Sequence, residues 1–433
     1  MTVQDIQQDQ EQEKAIIVGL VTDSGAAAAE IAERSLDELA ELADAAGAAV
    51  VSRALQHRSA PDSATYLGKG KLEEVARAAQ ELEATLLIFD DELSGSQIRN
   101  VEQLTQMKVV DRTFLILDIF AQRAKSAEGK LQVELAQQQY RLSRLVGLGQ
   151  SLSRLGGGIG TRGPGESQLE SDRRHINRRI NTLKQALVEV AARRQQTRQQ
   201  RQSQDILTLA VVGYTNAGKS TLLNTLCHAE LLTMDQLFAT LDPAARRLEL
   251  PDQQPVILID TVGFIRKLPH HLVDAFRSTL EEVTQADAIL HVIDCSDPQA
   301  QTQREVVEQL LNELGAAGKP RLTVLNKIDL VGPFERSGLN LLGGKDKFIP
   351  ISARTREGIP ELIEAIGQLA AEQFVPVNLV IPYSKAGWVD RIEQQGKIEQ
   401  LDYLEDGIHL SARVRIAAFN QLKRDLGQLA QPN

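Results

Sequence analysis

Gly213-Tyr214-Thr215-Asn216-Ala217-Gly218-Lys219-Ser220 reads G-x-x-x-x-G-K-S. An apolar run from Ile206 to Val212 precedes it, and a helical pattern from Thr221 to Cys227 follows. Strand, glycine-rich turn and helix start are the setting in which this pattern cradles phosphate. Glycines let the backbone wrap the anion, and successive N–H groups at a helix N-terminus supply partial positive charge. In such a loop Lys219 reaches the β- and γ-phosphates and the Ser220 hydroxyl ligates Mg²⁺. Thr221 continues the cradle into the helix.

Downstream, short apolar strands each end in a second piece of the same chemistry. Val256 to Ile259 leads into Asp260-Thr261-Val262-Gly263, a D-x-x-G. Asp260 would hold Mg²⁺ and the Gly263 N–H would meet the γ-phosphate. Leu322 to Leu325 leads into Asn326-Lys327-Ile328-Asp329, an N-K-x-D. A carboxylate at Asp329 accepts N1–H and N2–H₂ of guanine; adenine lacks those donors and would leave it unpaired. Phe348 to Ile351 leads into Ser352-Ala353-Arg354, where a backbone N–H can meet guanine O6. A loop-like stretch, Phe238-Ala239-Thr240-Leu241-Asp242, lies between the first two motifs. The ligands expected are GTP and GDP.

This ordered set resembles the translation-factor-related P-loop GTPases over about 165 residues. The resemblance implies that Thr240 joins Ser220 and Asp260 around Mg²⁺, and that loss of the γ-phosphate releases its loop. It assigns catalytic roles to Lys219, Thr240, Gly263 and Asn216. One position departs from the pattern. Many such enzymes place a water-orienting Gln after D-x-x-G; here it is Phe264, which cannot hydrogen-bond water. Slow intrinsic hydrolysis is expected, completed by a partner or an ion. Asn216 matches the asparagine of potassium-activated relatives, which makes K⁺ a candidate.

Upstream, residues 1–112 alternate short strands and helices, which predicts a small parallel-sheet α/β domain. Tyr66-Leu67-Gly68-Lys69-Gly70-Lys71 interrupts it as either a phosphate-binding turn or a plain turn with solvated lysines. Thr113 to Val146 reads as one long helix. Leu131, Leu135, Gln138, Leu142 and Leu145 form a heptad seam, and Ile176, Ile180, Leu183, Leu187 and Val190 form its match. Two such helices predict a long antiparallel hairpin over 113–204. Its tip, 147–166, holds eight glycines and is expected to be non-helical. Between Arg141 and Arg201 thirteen basic residues face four acidic ones, a net +9 that leaves −19 for the rest of the chain. Arg suits bidentate phosphate contacts. Arg154, Arg162, Arg173, Arg174, Arg178 and Arg179 are therefore candidate RNA contacts. Aromatics for base stacking are scarce nearby, which favours recognition of shape and backbone.

Gly156-Gly157-Gly158-Ile159-Gly160-Thr161-Arg162-Gly163-Pro164-Gly165-Glu166, then Leu169-Glu170 and Asp172-Arg173-Arg174, is similar to the signature ahead of the G domain in the HflX family. Tyr66 to Lys71 also resembles that family's N-terminal domain. The likeness spans about residues 15–370. It implies a GTPase that binds the large ribosomal subunit and its rRNA and separates stalled or idle ribosomes, with the hairpin loop reaching the peptidyl-transferase region. Two alternatives remain: a GTPase of ribosome assembly or RNA modification, and a regulatory GTPase whose hairpin binds a protein.

The G domain is expected over 205–372 and a small α+β domain over 373–433. The chain has 433 residues, 42% of them hydrophobic, with a formal net charge of −10. That charge disfavours a globally nucleic-acid-binding surface and throws weight on the local Arg cluster. Two cysteines, Cys227 and Cys295, suggest buried thiols in a reducing compartment. The acidic, Gln-rich start does not resemble a signal peptide. No apolar run approaches the ~20 residues of a membrane span. A cytoplasmic protein, monomeric in solution, is the expectation.

Overall fold

The computed structural model describes residues 12–22, 25–153, 164–202, 206–227, 238, 244–267, 277–332, 336, 342, 348–372, 374–415 and 430–432. They fall into two compact units.

The first unit begins with β1 (Lys14–Val21), α1 (Ala26–Ala45), β2 (Ala49–His57), α2 (Lys69–Leu82), β3 (Leu86–Phe89), α3 (Gly95–Thr105) and β4 (Lys108–Asp111). The strands form a parallel sheet in the order β2-β1-β3-β4. Ala15 to Val18 and Leu86 to Phe89 are buried throughout, as central strands covered on both faces require. Ile16, Val18, Leu87 and Phe89 pack with Leu72, Val75 and Ala79 of α2. A capping box between Ser94 and Gln97 starts α3.

Tyr66 to Lys71 forms the entry to α2. Tyr66 adopts φ 66° and is buried, and its hydroxyl donates to Asp91. The Gly68 N–H donates to Gln56 Oε1 at 2.9 Å, and Lys71 pairs with Glu74 at 2.7 Å.

The long helix expected from Thr113 is instead two helices, α4 (Arg112–Arg123) and α5 (Ala127–Ser153). Ala124 turns out of the helix at ψ 108°, and the Ser126 hydroxyl accepts from the Gly129 N–H at 2.8 Å, starting the next one. Apolar periodicity runs through this break, so a hydroxyl cap decides what periodicity conceals.

α6 (Pro164–Gln202) completes the hairpin. Leu135, Ile180 and Leu183 form its buried seam, flanked by Leu131, Leu142, Ile176 and Leu187. Arg179 clasps Glu134 through two bonds of 2.6 and 2.7 Å. The expected non-helical tip is narrower than 147–166, because α5 continues through Gly147 and Gly149 and α6 begins at Pro164. Each glycine costs a helix only about 1 kcal/mol, less than a run of neighbours can offset. Residues 154–163, with Arg154 and Arg162, lie outside the described residues.

The base of α5 is fixed by charge. Asp111 is fully buried and accepts the Tyr140 hydroxyl at 2.8 Å, the Phe114 and Leu93 N–H groups, and Arg144. Arg144 also stacks 3.8 Å over the Tyr140 ring. Arg112, 2% exposed, pairs with Glu38 and Asp90. Lys267 pairs with Asp90 and Asp91.

The second unit contains β5 (Leu207–Gly213), α7 (Lys219–Cys227), β6 (Ala245–Glu249), β7 (Pro255–Asp260), α8 (Arg277–Gln285), β8 (Ala288–Asp294), α9 (Ala300–Glu313), β9 (Arg321–Asn326), β10 (Phe348–Pro350) and α10 (Ile359–Glu372). Six strands order as β10-β9-β8-β5-β7-β6. All neighbours are parallel except β6, an antiparallel edge strand with alternating burial that apolar-run reading passes over. Leu209, Val211, Leu258, Leu290 and Val292 meet Leu222 and Leu223 of α7 and Leu362 and Ile366 of α10. The motif loops thus gather at the carboxyl ends of parallel strands, where open α/β sheets bind ligands.

Residues 374–415 and 430–432 add a second sheet, β12 (Gly396–Leu404), β13 (Gly407–Arg415), β11 (Phe374–Ile381) and β14 (Ala430–Pro432) in that order, with α11 (Gly387–Gln395) against it. Leu404 pairs with Gly407, so the two-residue hairpin loop is Glu405-Asp406. Residues 416–429 lie outside the described residues.

Candidate nucleotide site

Strand β5 delivers the chain into the glycine-rich loop at Gly213. A side chain there would meet the Val292 carbonyl oxygen at 2.2 Å, so only glycine lets β5 and β8 pair this closely. Gly218 adopts φ 88°, and a side chain there would lie 2.3 Å from Asn326 Nδ2. Asn216 also takes a left-handed backbone, φ 60°, and is exposed. Lys219 and Ser220 open α7 with their N–H groups on the loop side.

Lys219 is 7% exposed, and its ammonium donates to the Gly213 and Tyr214 carbonyls at 3.1 and 2.6 Å. Burial pushes its pKa down to about 8, with Asp260 opposing the shift. Asp260 ends β7 fully buried and accepts from the Ser220 hydroxyl at 3.4 Å. A hydroxyl and a carboxylate converging next to a phosphate loop are the hard oxygen donors Mg²⁺ prefers, so the residues fit that ion. Thr261 anchors the D-x-x-G turn by donating to the Val211 carbonyl at 2.7 Å. Val262 and Gly263 are buried behind it.

Asn326 joins the two halves of the site. Its amide donates to the Ala217 carbonyl at 2.9 Å, and its carbonyl accepts the Ala353 N–H at 3.0 Å. Lys327 takes φ 67° and reaches Asp294 at 2.7 Å. Ile328 is buried, while Asp329 lies exposed in the short turn Ile328–Leu330. Ser352 is fully buried, its hydroxyl accepting the Thr355 N–H at 3.0 Å; Arg354 is exposed. Thr225 of α7 holds the Ala353 carbonyl at 2.8 Å. Thr221 is half-buried in the first turn of α7.

Phe238 is buried with its ring 4.7 Å from Phe120 of α4. Ala239, Thr240, Leu241 and Asp242 lie outside the described residues. On the hairpin, Arg173, Arg174 and Arg178 are exposed, whereas Arg179 is engaged by Glu134.

Three features escaped sequence reading. Asp294 serves as the partner of Lys327, although its place at the end of a buried strand was a signal. Phe264 is bridged to Tyr214 by backbone pairing. His291 in β8 is 1% exposed, and among the described residues neither ring nitrogen has a hydrogen-bond partner. Burial first, then Arg321, Arg304 and Lys219, push its pKa down to about 3.

With this geometry in view, three family matches cover most of the chain. Residues 33–121 match "GTP-binding GTPase N-terminal", 123–201 "GTP-binding GTPase Middle Region", and 208–327 "50S ribosome-binding GTPase". The GTPase HflX of Lacrimispora saccharolytica is 50% identical over 412 residues, 95% of this chain and 96% of its own. The chain belongs to the HflX family of GTPases. The Escherichia coli HflX is 43% identical over 388 residues, 89% of this chain and 91% of its own. Among solved structures, a GTP-binding protein from Sulfolobus solfataricus in complex with GDP is similar at 27% identity, over 83% of this chain and 99% of its own, with a TM-score of 0.45. As an HflX GTPase the chain is a GTP-binding protein and a GTP hydrolase. Among the described residues no helix is long and apolar enough to cross a membrane.

Proposed function

We propose that this GTPase binds the large ribosomal subunit in its GTP form through the hairpin, separates stalled or idle ribosomes, and leaves on hydrolysis. The observation that carries this reading is the exposed Arg173, Arg174 and Arg178 on a long helix that precedes the nucleotide domain in the sequence. Guanidinium groups on one helix match the backbone phosphates of folded RNA. The family match of residues 208–327 supports the ribosome as the source of that RNA.

Each site residue has a role in that cycle. The N–H groups from Asn216 to Thr221 cradle the phosphates, and Lys219 exchanges its two carbonyl partners for phosphate oxygens. Ser220 and Asp260 would hold Mg²⁺, with Thr240 joining in the GTP form, and the ion would supply positive charge against the phosphates. Gly263 offers its N–H to the γ-phosphate. Asp329 reads the guanine N–H edge, Asn326 and Lys327 frame it, and the Ala353 region meets O6. Phe264 supplies no hydrogen bond to water, so turnover is slow until the ribosome, or K⁺ beside Asn216, completes the site.

Sedimentation with purified 70S ribosomes and 50S subunits in GDP, GTP and a non-hydrolysable analogue tests this reading. Cosedimentation with 50S in the analogue, and loss of the 70S peak, are expected. Nucleotide-independent pelleting would remove the proposal. Association only with immature particles would transfer it to ribosome assembly. Equal turnover in K⁺ and Na⁺, with and without ribosomes, would remove the potassium role.

A further inference from the structure

Asp329 is exposed on the short turn Ile328–Leu330, and among the described residues nothing hydrogen-bonds its carboxylate. The aim of that carboxylate is therefore set by the backbone that carries it. Arg336, seven positions later and outside every nucleotide motif, grips this backbone. Its Nη2 donates at 2.8 Å to the Ile328 carbonyl, the oxygen of the peptide group that joins Ile328 to Asp329. The same carbonyl accepts the Val331 N–H at 3.2 Å, which closes the turn. Arg336 Nε reaches the Val331 carbonyl at 3.5 Å.

The third nitrogen points to another loop. Arg336 Nη1 pairs with Glu357 Oε1 at 3.1 Å. Glu357 belongs to the loop that follows Ser352-Ala353-Arg354, and its carbonyl accepts the Ser352 N–H at 2.9 Å. Gly358 comes next with φ 74°, where a side chain would stand 2.3 Å from the Pro350 carbonyl, so this turn lies tight against the end of β10. Buried Asn326 already links the two base-facing loops through the Ala353 N–H. Arg336 adds an exposed second link, and this one acts on the Asp329 peptide itself. A planar guanidinium holds its donors in fixed directions, so one side chain sets the spacing of carbonyl and carboxylate. An ammonium has no such fork.

We infer that Arg336 is a specificity-determining positioning residue: its guanidinium fork holds the Ile328–Asp329 peptide so that the Asp329 carboxylate meets both N1–H and N2–H₂ of guanine. It acts through Asp329 and not by a bond of its own to the base. This inference rests on Asp329 being the guanine reader. A carboxylate turned aside keeps one of those two bonds or neither. Inosine lacks the 2-amino group, so it has only one of them to lose.

The test compares dissociation constants for GDP and inosine diphosphate on the full chain with Mg²⁺. Arg336→Leu should weaken GDP by roughly 10-fold, the worth of about one net hydrogen bond, and inosine diphosphate by less, so the preference for GDP narrows. A merely structural loss would weaken both by the same factor; that result, or unchanged constants, would overturn the inference. Arg336→Lys keeps the charge without the fork and serves if the leucine variant does not fold. It should narrow the preference in the same direction, and wild-type preference with lysine would also overturn the inference. Asp329→Ala completes a double-mutant cycle. With that carboxylate gone, Arg336→Leu should cost GDP no further affinity; a second loss of the same size would mean that Arg336 does not act through Asp329. Asp329→Asn tests the base reader separately, and its preference should pass from guanine to xanthine. Strict guanine preference in that variant would remove the base-reading assignment, and the Arg336 role with it.

Discussion

Lys219 is a buried ammonium among carbonyls, and its lowered pKa, about 8, has a consequence for binding. A phosphate partner favours the charged form, so nucleotide binding raises that pKa and takes up a proton. Near pH 8 roughly half a proton should be absorbed per nucleotide, and affinity should fall as pH rises further. Titration calorimetry in buffers of different ionisation enthalpy measures this directly; buffer-independent heats at that pH would mean Lys219 is already fully charged. His291 acts in the opposite pH range. Its folded pKa, about 3, lies below the ordinary 6.5, so the unfolded chain binds the proton first as pH falls. Stability is fully present above 6.5 and is lost toward 3, at up to about 1.4 kcal/mol per pH unit from this residue. His291→Leu should flatten that acid limb in denaturant titrations across pH; an unaltered slope would show that the ring already titrates normally.

Among the elements, the hairpin is held by a narrow seam. Leu183 is 1% exposed between Leu135 and Ile180, and few other side chains share the load. Leu183→Ala should cost about 2–4 kcal/mol locally, because a cavity remains where the side chain was. The loss should appear as faster amide exchange in α5 and α6, with GDP affinity unchanged. A global unfolding shift without that local signature would mean the hairpin is not an independent unit of stability. Arg179 has a partner within the hairpin itself. Its guanidinium is already clasped by Glu134 of α5, so it stitches the hairpin. Arg144 is likewise spent on Asp111 and Tyr140. The exposed Arg173, Arg174 and Arg178 are left as the better candidates.

For the whole molecule, replacing residues 154–163 by a short turn should leave GTP and GDP affinity intact and abolish ribosome effects. Ribosome binding by the unaltered chain should weaken steeply with salt, because phosphate contacts release counterions. Salt-insensitive binding would point to a protein partner instead. Much of this architecture was legible in the sequence for a local reason. Gly213 to Ser220, Asp260 to Gly263 and Asn326 to Asp329 each encode one strand end and one turn, so a few neighbouring residues suffice. The parallel sheets followed from short, wholly apolar runs such as Leu86 to Phe89. What stayed hidden depends on partners distant in sequence. Phe264 meets Tyr214 across 50 positions, and Lys327 finds Asp294 across 33. The break at Ala124 was local yet missed, since a single Ser126 hydroxyl outweighs an unbroken apolar rhythm. Strand β6 was missed because an edge strand carries polar residues that dilute its pattern.

Asn326 grips the phosphate loop through Ala217 and the base-facing loop through Ala353. On the proposed assignment the two halves of the nucleotide would be received by one stiff cradle, not by two pockets joined by a slack chain. Guanosine and pyrophosphate offered as separate molecules would each bind a half-site that is already shaped. Joining them covalently should then gain nearly the full effective concentration that a rigid geometry allows. Asn326 would then set the avidity of the site more than the affinity of either part.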